Sequence, residues 1–268
     1  MEDKLEALKR AISECEGAVV AFSGGVDSTF LLSVAWDVLG DRVLAVTVLS
    51  PVFPLRELDE AREIANILGV EHVVIDVNVM EIEGFTSNPP DRCYICKKDL
   101  FSKIVGIAEG REIPCVFEAS NLDDTGNYRP GLKAVKELGV RTPLVDAGLT
   151  KQEIRLLSRE RGFPTWDKPA AACLATRIPY NEPITLEKLE QVGKGEEYLV
   201  SLGFKLCRLR HHGSIARIEV PAEEFGWLLE ASKKQRIIKR LKKLGFQYVT
   251  IDIEGYRSGS LNEELDIC

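Results

Sequence analysis

Three sets of residues in this chain have the types and spacing to do chemistry. The first is the run Ser23-Gly24-Gly25-Val26-Asp27-Ser28-Thr29. Adjacent glycines let backbone N–H groups close on an anion with no Cβ in the way. Ser23, Ser28 and Thr29 add hydroxyls, and Asp27 is a ligand for Mg²⁺, directly or through water. The second set is sulfur: Cys93 and Cys96 at C-x-x-C spacing, with Cys173 further along. The third is Arg208 and Arg210, which share one face if they lie on a strand. They suit a phosphate clamp, although the same spacing suits a face of surface ion pairs equally well.

The elements around the first set favour an anion site. A continuous apolar run, 17–22, fits a central parallel strand, and 30–39 fits a buried helix stopped by Gly40. A turn that opens a helix places its N–H groups at the positive end of the helix. The bland alternative is a Ser/Gly turn that merely joins strand to helix. The run lacks the G-x-x-x-x-G-K-[ST] spacing of P-loop nucleotide hydrolases and the G-x-G-x-x-G spacing of dinucleotide folds.

Downstream, apolar runs predict strands over 43–49, 72–77, 115–119 and 142–145. Helical spacing predicts helices over 5–15, 55–68, 97–108, 131–138 and 151–161. Repeated strand–helix units predict an α/β fold, a Rossmann-like parallel sheet with helices on both faces. Ligands of such sheets bind at the C-terminal strand ends. The pattern changes near Trp166. An Ala- and Pro-rich connector over 168–180 precedes a helix (186–202), strands (205–211, 214–220), helices (223–229, 234–244) and a strand (248–253). The expected organisation is one domain over 1–167 and a smaller α+β unit over 168–268.

Composition narrows the class. Hydrophobic residues are 45% of the 268 and charged residues 29%, enough for a core in each domain. No apolar run approaches the roughly 20 residues that span a bilayer. The charged start, Met1-Glu2-Asp3-Lys4, is unlike a signal peptide, so the expected location is cytoplasmic, with no membrane partner. The net charge of −7 argues against a dedicated nucleic-acid binder. The basic run 233–243 carries Ile237, Ile238 and Leu241 at helical spacing and reads as a solvated helix face. Seven cysteines, an odd number, are not expected to form a disulfide framework in a cytosolic chain.

Ser-Gly-Gly-Val-Asp-Ser resembles the pyrophosphate loop of the N-type ATP pyrophosphatases (the PP-loop superfamily). The resemblance implies ATP and Mg²⁺, attack at the α-phosphate, and release of pyrophosphate. It also implies that the end of the second strand, Thr47, Val48 and Ser50, holds adenine. Further segments resemble one family within that group: Asn121-Leu122-Asp123-Asp124, Tyr128-Arg129-Pro130-Gly131, Leu149-Thr150-Lys151 with Glu153 and Arg155, and Cys173 before Arg177-Ile178-Pro179-Tyr180. Arg208-Leu209-Arg210, Ala216-Arg217-Ile218-Glu219 and Gly255-Tyr256-Arg257-Ser258-Gly259 extend the match nearly to the end. These are similar to the LarE family, the ATP-dependent sulfur transferases of nickel-pincer nucleotide biosynthesis. That likeness implies a small nucleotide substrate, pyridinium-3,5-biscarboxylic acid mononucleotide, contacted by Arg177, Arg208 and Arg210. It implies an ATP-binding first domain, a second domain for substrate and oligomerisation, and a homo-oligomer, of which a hexamer is one form. In one branch of the family the cysteine at the Cys173 position gives up its own sulfur.

The pair Cys93 and Cys96 opens other routes for sulfur. Asp91, after Pro89-Pro90, fits a helix cap, which puts the two thiols one turn apart on one face. With Cys173 they match three ligands of a [4Fe–4S] cluster whose open iron takes a sulfide from an external source. A redox dithiol, a zinc site and inert packing are the alternatives. Cys15, Cys115 and Cys207 read as small buried hydrophobes, and Cys268 is terminal. Two other functions remain in view: a tRNA thiolation enzyme of the same superfamily, which needs a basic face, and a non-catalytic iron–sulfur or nucleotide-sensing module.

Overall fold

A computed structural model of the chain describes residues 1–126, 129–169 and 172–265. Tyr128 and Cys268, both singled out above, lie outside the described residues. The chain divides into two compact units. The first comprises Met1–Ser50, Leu55–Ile82 and Asp91–Ala170; the second comprises Pro51–Pro54, Glu83–Pro90 and Ala171–Cys268.

In the first unit, helix α1 (Glu2–Ser13) leads to strand β1 (Ala18–Ala21) and helix α2 (Val26–Leu39). Strand β2 (Val43–Leu49), helix α3 (Leu55–Leu68) and strand β3 (Glu71–Asp76) follow. Then come helix α4 (Arg92–Gly110), strand β4 (Cys115–Phe117), and helices α5 (Pro130–Glu137), α6 (Pro143–Asp146) and α7 (Lys151–Glu160). The four strands form a parallel sheet in the order β3-β2-β1-β4. The chain moves outward from β1 through β2 to β3, then returns to place β4 on the other side of β1. That reversal makes the C-terminal end of β1 the switch point where ligands of open parallel sheets bind.

Both faces of this sheet are covered, as alternating side chains require. Ala18 and Val20 of β1, with Val43 and Ala45 of β2, pack among residues of α1, α2, α3 and α7, including Leu8, Phe30, Ile64 and Ile154. Val19, Leu44 and Val46 point the other way, onto Phe101 and Ile104 of α4 and Val135 of α5. The Rossmann-like α/β class expected from the sequence is therefore what the first unit has.

Two expectations fail. The predicted fifth strand over 142–145 is the short helix α6. Arg141 makes a single parallel bridge to Phe117, and Pro143 then lacks the N–H that a ladder needs. Cys15 and Cys115, expected as inert thiols, form a disulfide with Cα atoms 6.2 Å apart across 100 residues. The end of α1 lies beside the first residue of β4, a proximity that sequence separation hides.

In the second unit, helix α8 (Leu186–Ser201) precedes strands β5 (Arg208–His212) and β6 (Ile215–Glu219), joined by a hairpin at Gly213. Helices α9 (Phe225–Leu228) and α10 (Ala231–Lys243) lead to strand β7 (Tyr248–Ile251), which pairs parallel to β6. Leu199, Phe204, Leu209, Ile218, Leu241 and Phe246 are among its core residues. Gly195 of α8 lets helix and sheet close: a Cβ there would stand 2.2 Å from Leu209 Cδ2. Asn88 anchors the segment 83–90 to this unit, donating to the carbonyls of Ile178 (3.3 Å) and Pro179 (2.7 Å).

Candidate active site

The Ser23–Thr29 run lies where β1 ends and α2 begins. Gly24 has φ +66°, and a Cβ there would stand 3.0 Å from Ala61 Cα of α3. Both facts require glycine. Gly25 is the N-cap of α2, so the free N–H groups of the first helical turn face the loop. The loop is tied to itself: Ser23 N–H donates to Ser28 Oγ (3.3 Å), the two hydroxyls lie 3.1 Å apart, and Ser28 Oγ donates to the Gly25 carbonyl (3.2 Å).

Asp27 sits in the first turn of α2, and one of its oxygens meets Lys151 Nζ at 2.5 Å. The other, Oδ1, is buried and has no hydrogen-bond partner among the described residues; Thr29 Oγ1 and Ser50 Oγ share that condition. Burial pushes the Asp27 carboxyl above its ordinary value, against the pull of Lys151. A buried carboxylate oxygen without a partner is costly unless a ligand completes it. A hard cation such as Mg²⁺ suits it by charge and donor type.

The flanking strands add further groups. Thr47, at the end of β2, is buried; it donates to the Phe22 carbonyl (2.7 Å) and meets His72 Nε2 of β3 at 2.8 Å. Val48 is half-buried and Ser50 buried beside it. Beyond β4, Asn121 caps a 3-10 turn, Leu122–Asp124, in a reciprocal capping box with Asp124. Asp123 accepts from the Lys151 N–H at 2.8 Å, and Asp124 pairs with Arg129 at 2.7 Å. Thr150 caps α7 through a second capping box with Glu153. The structure thus brings the loop, Asp27 and the Leu149–Lys151 segment together at the C-terminal strand ends.

In the second unit, Arg208 and Arg210 lie on β5 and Arg177 on the 3-10 turn Leu174–Arg177. Arg177 forms a two-pronged pair with Glu196 (2.7 and 2.9 Å). Burial works against its charge, but Glu196 outweighs that and holds its pKa up. Arg210 forms the same kind of pair with the fully buried Glu219 (2.8 and 2.9 Å) and reaches Ser260 Oγ and the Thr176 carbonyl. The Arg208 guanidinium lies 5.2 Å from the Tyr256 ring centre and donates to the Cys207 carbonyl. Burial and the charge of Arg177 lower its pKa. Cys173 is pinned by its own carbonyl, which accepts from Thr176 N–H (3.0 Å), Thr176 Oγ1 (2.7 Å) and Arg177 (3.3 Å).

Comparison with known proteins decides the family. Residues 17–99 match the model of the queuosine biosynthesis protein QueC. The chain is 41% identical to the uncharacterized protein slr1717 of Synechocystis over 99% of both chains. It is 38% identical to the pyridinium-3,5-bisthiocarboxylic acid mononucleotide synthase of Lactiplantibacillus plantarum, over 98% of this chain and 95% of the synthase. The chain belongs to the LarE family of ATP-dependent sulfurtransferases. A more distant likeness, 27% identity over 73% of this chain, links it to the GMP synthase of Aeropyrum pernix, which it spans for 41% of that protein's length.

Within this LarE-family chain, Cys93 and Cys96 fall in the first two turns of α4 in the first unit, whereas Cys173 belongs to the second unit. Asp91 holds the N-cap position of α4, but its side chain makes no capping bond. Cys93 and Cys173 are half-buried and Cys96 is buried. Among the described residues, no three His, Cys, Asp or Glu side chains form a group that could hold a metal ion.

Sequence reading missed the residues that hold the others in place. Glu196 stands in no motif, and Glu219 enters the sequence reading only within Ala216-Arg217-Ile218-Glu219, with no partner assigned, although it alternates with Arg217 on one strand. Lys97, one position after Cys96, pairs with the half-buried Glu118 at 2.7 Å. His72 and Lys168 carried no signal at all.

Proposed function

We propose that this chain activates a carboxylate of pyridinium-3,5-biscarboxylic acid mononucleotide with ATP and replaces the activated oxygen by sulfur. The observation that carries the reading is the end-to-end similarity to the Lactiplantibacillus plantarum synthase. A carboxylate oxygen attacks the α-phosphorus, the bond to the oxygen bridging the α- and β-phosphates breaks, and pyrophosphate leaves. Sulfur then attacks the acyl carbon, the C–O bond to AMP breaks, and a thiocarboxylate and AMP result. A second round treats the other carboxylate.

On this reading the Gly24-Gly25 backbone and the hydroxyls of Ser23, Ser28 and Thr29 hold the pyrophosphate. Asp27 holds Mg²⁺, which neutralises the leaving group. Thr47, Val48 and Ser50 take the adenine side. Arg177, Arg208 and Arg210 are the side chains proposed to contact the acceptor, Arg177 and Arg210 being held in place by forks to Glu196 and Glu219. Cys93, Cys96 and Cys173 are the ligands we propose for a [4Fe–4S] cluster. Thiolate donors fit such a cluster, and an iron left open by three-cysteine ligation supplies a site for a transferable sulfide. Cys173 as its own sulfur donor is the alternative. The reading also carries a cytoplasmic location, a sulfide source and a homo-oligomer, the last measurable by light scattering.

The test is product analysis with anaerobically prepared protein. AMP and pyrophosphate should form in equal amounts, dependent on the pyridinium nucleotide. ADP and phosphate as products, or AMP formation that responds to tRNA instead, overturns the reading. Iron and sulfide content with constant protein mass supports the cluster. Iron-free protein that loses about the mass of H₂S from Cys173 per turnover supports the sacrificial route.

A further inference from the structure

Lys168 follows the 3-10 turn Pro164–Asp167 at the end of the first unit. Its main chain is held by Arg155 of α7, which donates to the carbonyls of Trp166 and Lys168, both at 2.7 Å. Its ammonium meets three oxygens: Glu57 Oε2 (2.6 Å), Glu60 Oε2 (2.5 Å) and the Gly24 carbonyl (3.2 Å). An ammonium has three donors, so this lysine is fully engaged and has none to spare for a phosphate. Glu57 and Glu60 stand on α3 beside Ala61, the residue against which Gly24 is packed.

The direction of one peptide gives this arrangement a consequence. In a planar trans peptide the C=O and the following N–H point opposite ways. A cation fixed on the Gly24 carbonyl therefore turns the Gly25 N–H away from Lys168, to the side of Ser23 Oγ. That N–H makes only a long contact, 3.4 Å, with Ser23 Oγ, so a better acceptor can take it. The cation also offsets the partial negative charge that a bare carbonyl would present to an incoming polyphosphate.

We propose that Lys168 is a positioning residue for the pyrophosphate loop. It clamps the Gly24 carbonyl to α3 and so aims the Gly25 N–H at the β- and γ-phosphates of ATP. The proposal rests on the reading of Ser23–Thr29 as an ATP loop, and the test separates the two.

The probes are Mg²⁺ with the α,β-methylene analogue of ATP, and AMP alone, titrated calorimetrically against the intact chain. Wild-type protein that binds no analogue refutes the ATP-loop reading itself. Given wild-type binding, Lys168→Met should weaken the analogue about tenfold or more, roughly the loss of one charge-assisted hydrogen bond, and leave AMP unchanged. Lys168→Arg should restore analogue binding to within about threefold, because a guanidinium can reach the same three oxygens. Equal affinity of Lys168→Met and wild type for the analogue overturns the proposal. So does an equal loss for analogue and AMP, which marks general damage. Should Lys168→Met fail to fold, Lys168→Gln stands in: a loss confined to the analogue supports the clamp, and no loss overturns it.

Discussion

Asp27 shows how one side chain joins the loop's geometry to its chemistry. One oxygen is held by Lys151, the other is buried without a partner, and burial raises the pKa. On the proposed reading Asp27 holds Mg²⁺, and because a protonated carboxyl would not, proton and metal compete for it. With the pKa raised, that competition begins at a higher pH than for an ordinary aspartate. Mg²⁺ affinity in the presence of the ATP analogue should therefore fall as the pH is lowered, from above the ordinary aspartate range near 4. Asp27→Asn should remove this dependence and lower adenylation by about a hundredfold or more, the scale of a lost metal-ion contribution. Calorimetric Mg²⁺ titration at several pH values checks it; a wild-type affinity flat down to pH 4 contradicts it. Asp27 and the loop were legible because their residue types are chemically specific in a strand-to-helix turn. Lys168, His72 and Glu196 were not, because what they do depends on partners that are distant in the chain.

At the scale of elements, apolar patterning located nearly every helix and strand, and the errors share a cause. Residues 142–145 are too few for periodicity to separate a buried strand from a helical turn, and Pro143 decides for the helix. Helix α2 starts at Val26, earlier than its apolar residues suggest, because Gly25 caps it and Asp27 suits the positive end of a helix. Helix α4 begins at Arg92, ahead of the apolar stripe from residue 97 but where a cap at Asp91 puts it. The best-signalled terminus is that of α7. Thr150 Oγ1 accepts from the Glu153 N–H, and Glu153 accepts from the Thr150 N–H and from Lys4. The Lys4 ammonium, then the Thr150 N–H, hold the Glu153 carboxyl down at about 2. A depressed carboxylate contributes stability that is present above its unfolded value, near 4.3, and lost as the pH falls toward 2. Thr150→Ala should cost about 1 kcal/mol in urea unfolding at neutral pH. Glu153→Gln keeps the capping pattern but should flatten the stability curve between pH 4.5 and about 2. A curve as steep as that of the wild type would remove Glu153 from the account.

At the scale of the whole molecule, the feature least visible in the sequence is the cross-link between Cys15 and Cys115. An odd cysteine count and an expected reducing location both argued against it. Neither argument sees that α1 ends beside the start of β4, where Arg141 also reaches Cys15 Sγ at 3.3 Å and Glu14 at 2.6 Å. The bond closes a loop of 100 residues, and tying the chain over that length removes freedom from the unfolded state. The chain-entropy argument gives a stabilisation of about 3–5 kcal/mol. Unreduced, denatured protein should therefore titrate two thiols fewer than reduced protein. Cys15→Ser should lower the unfolding free energy by about that amount. The change should fall on the first unit, because both cysteines lie within it. Hydrogen exchange would then show faster opening in α1 and β4 and an unchanged β5–β6 hairpin. Equal thiol counts before and after reduction would show that the pair is not cross-linked, and Cys15→Ser should then cost little more than a small cavity.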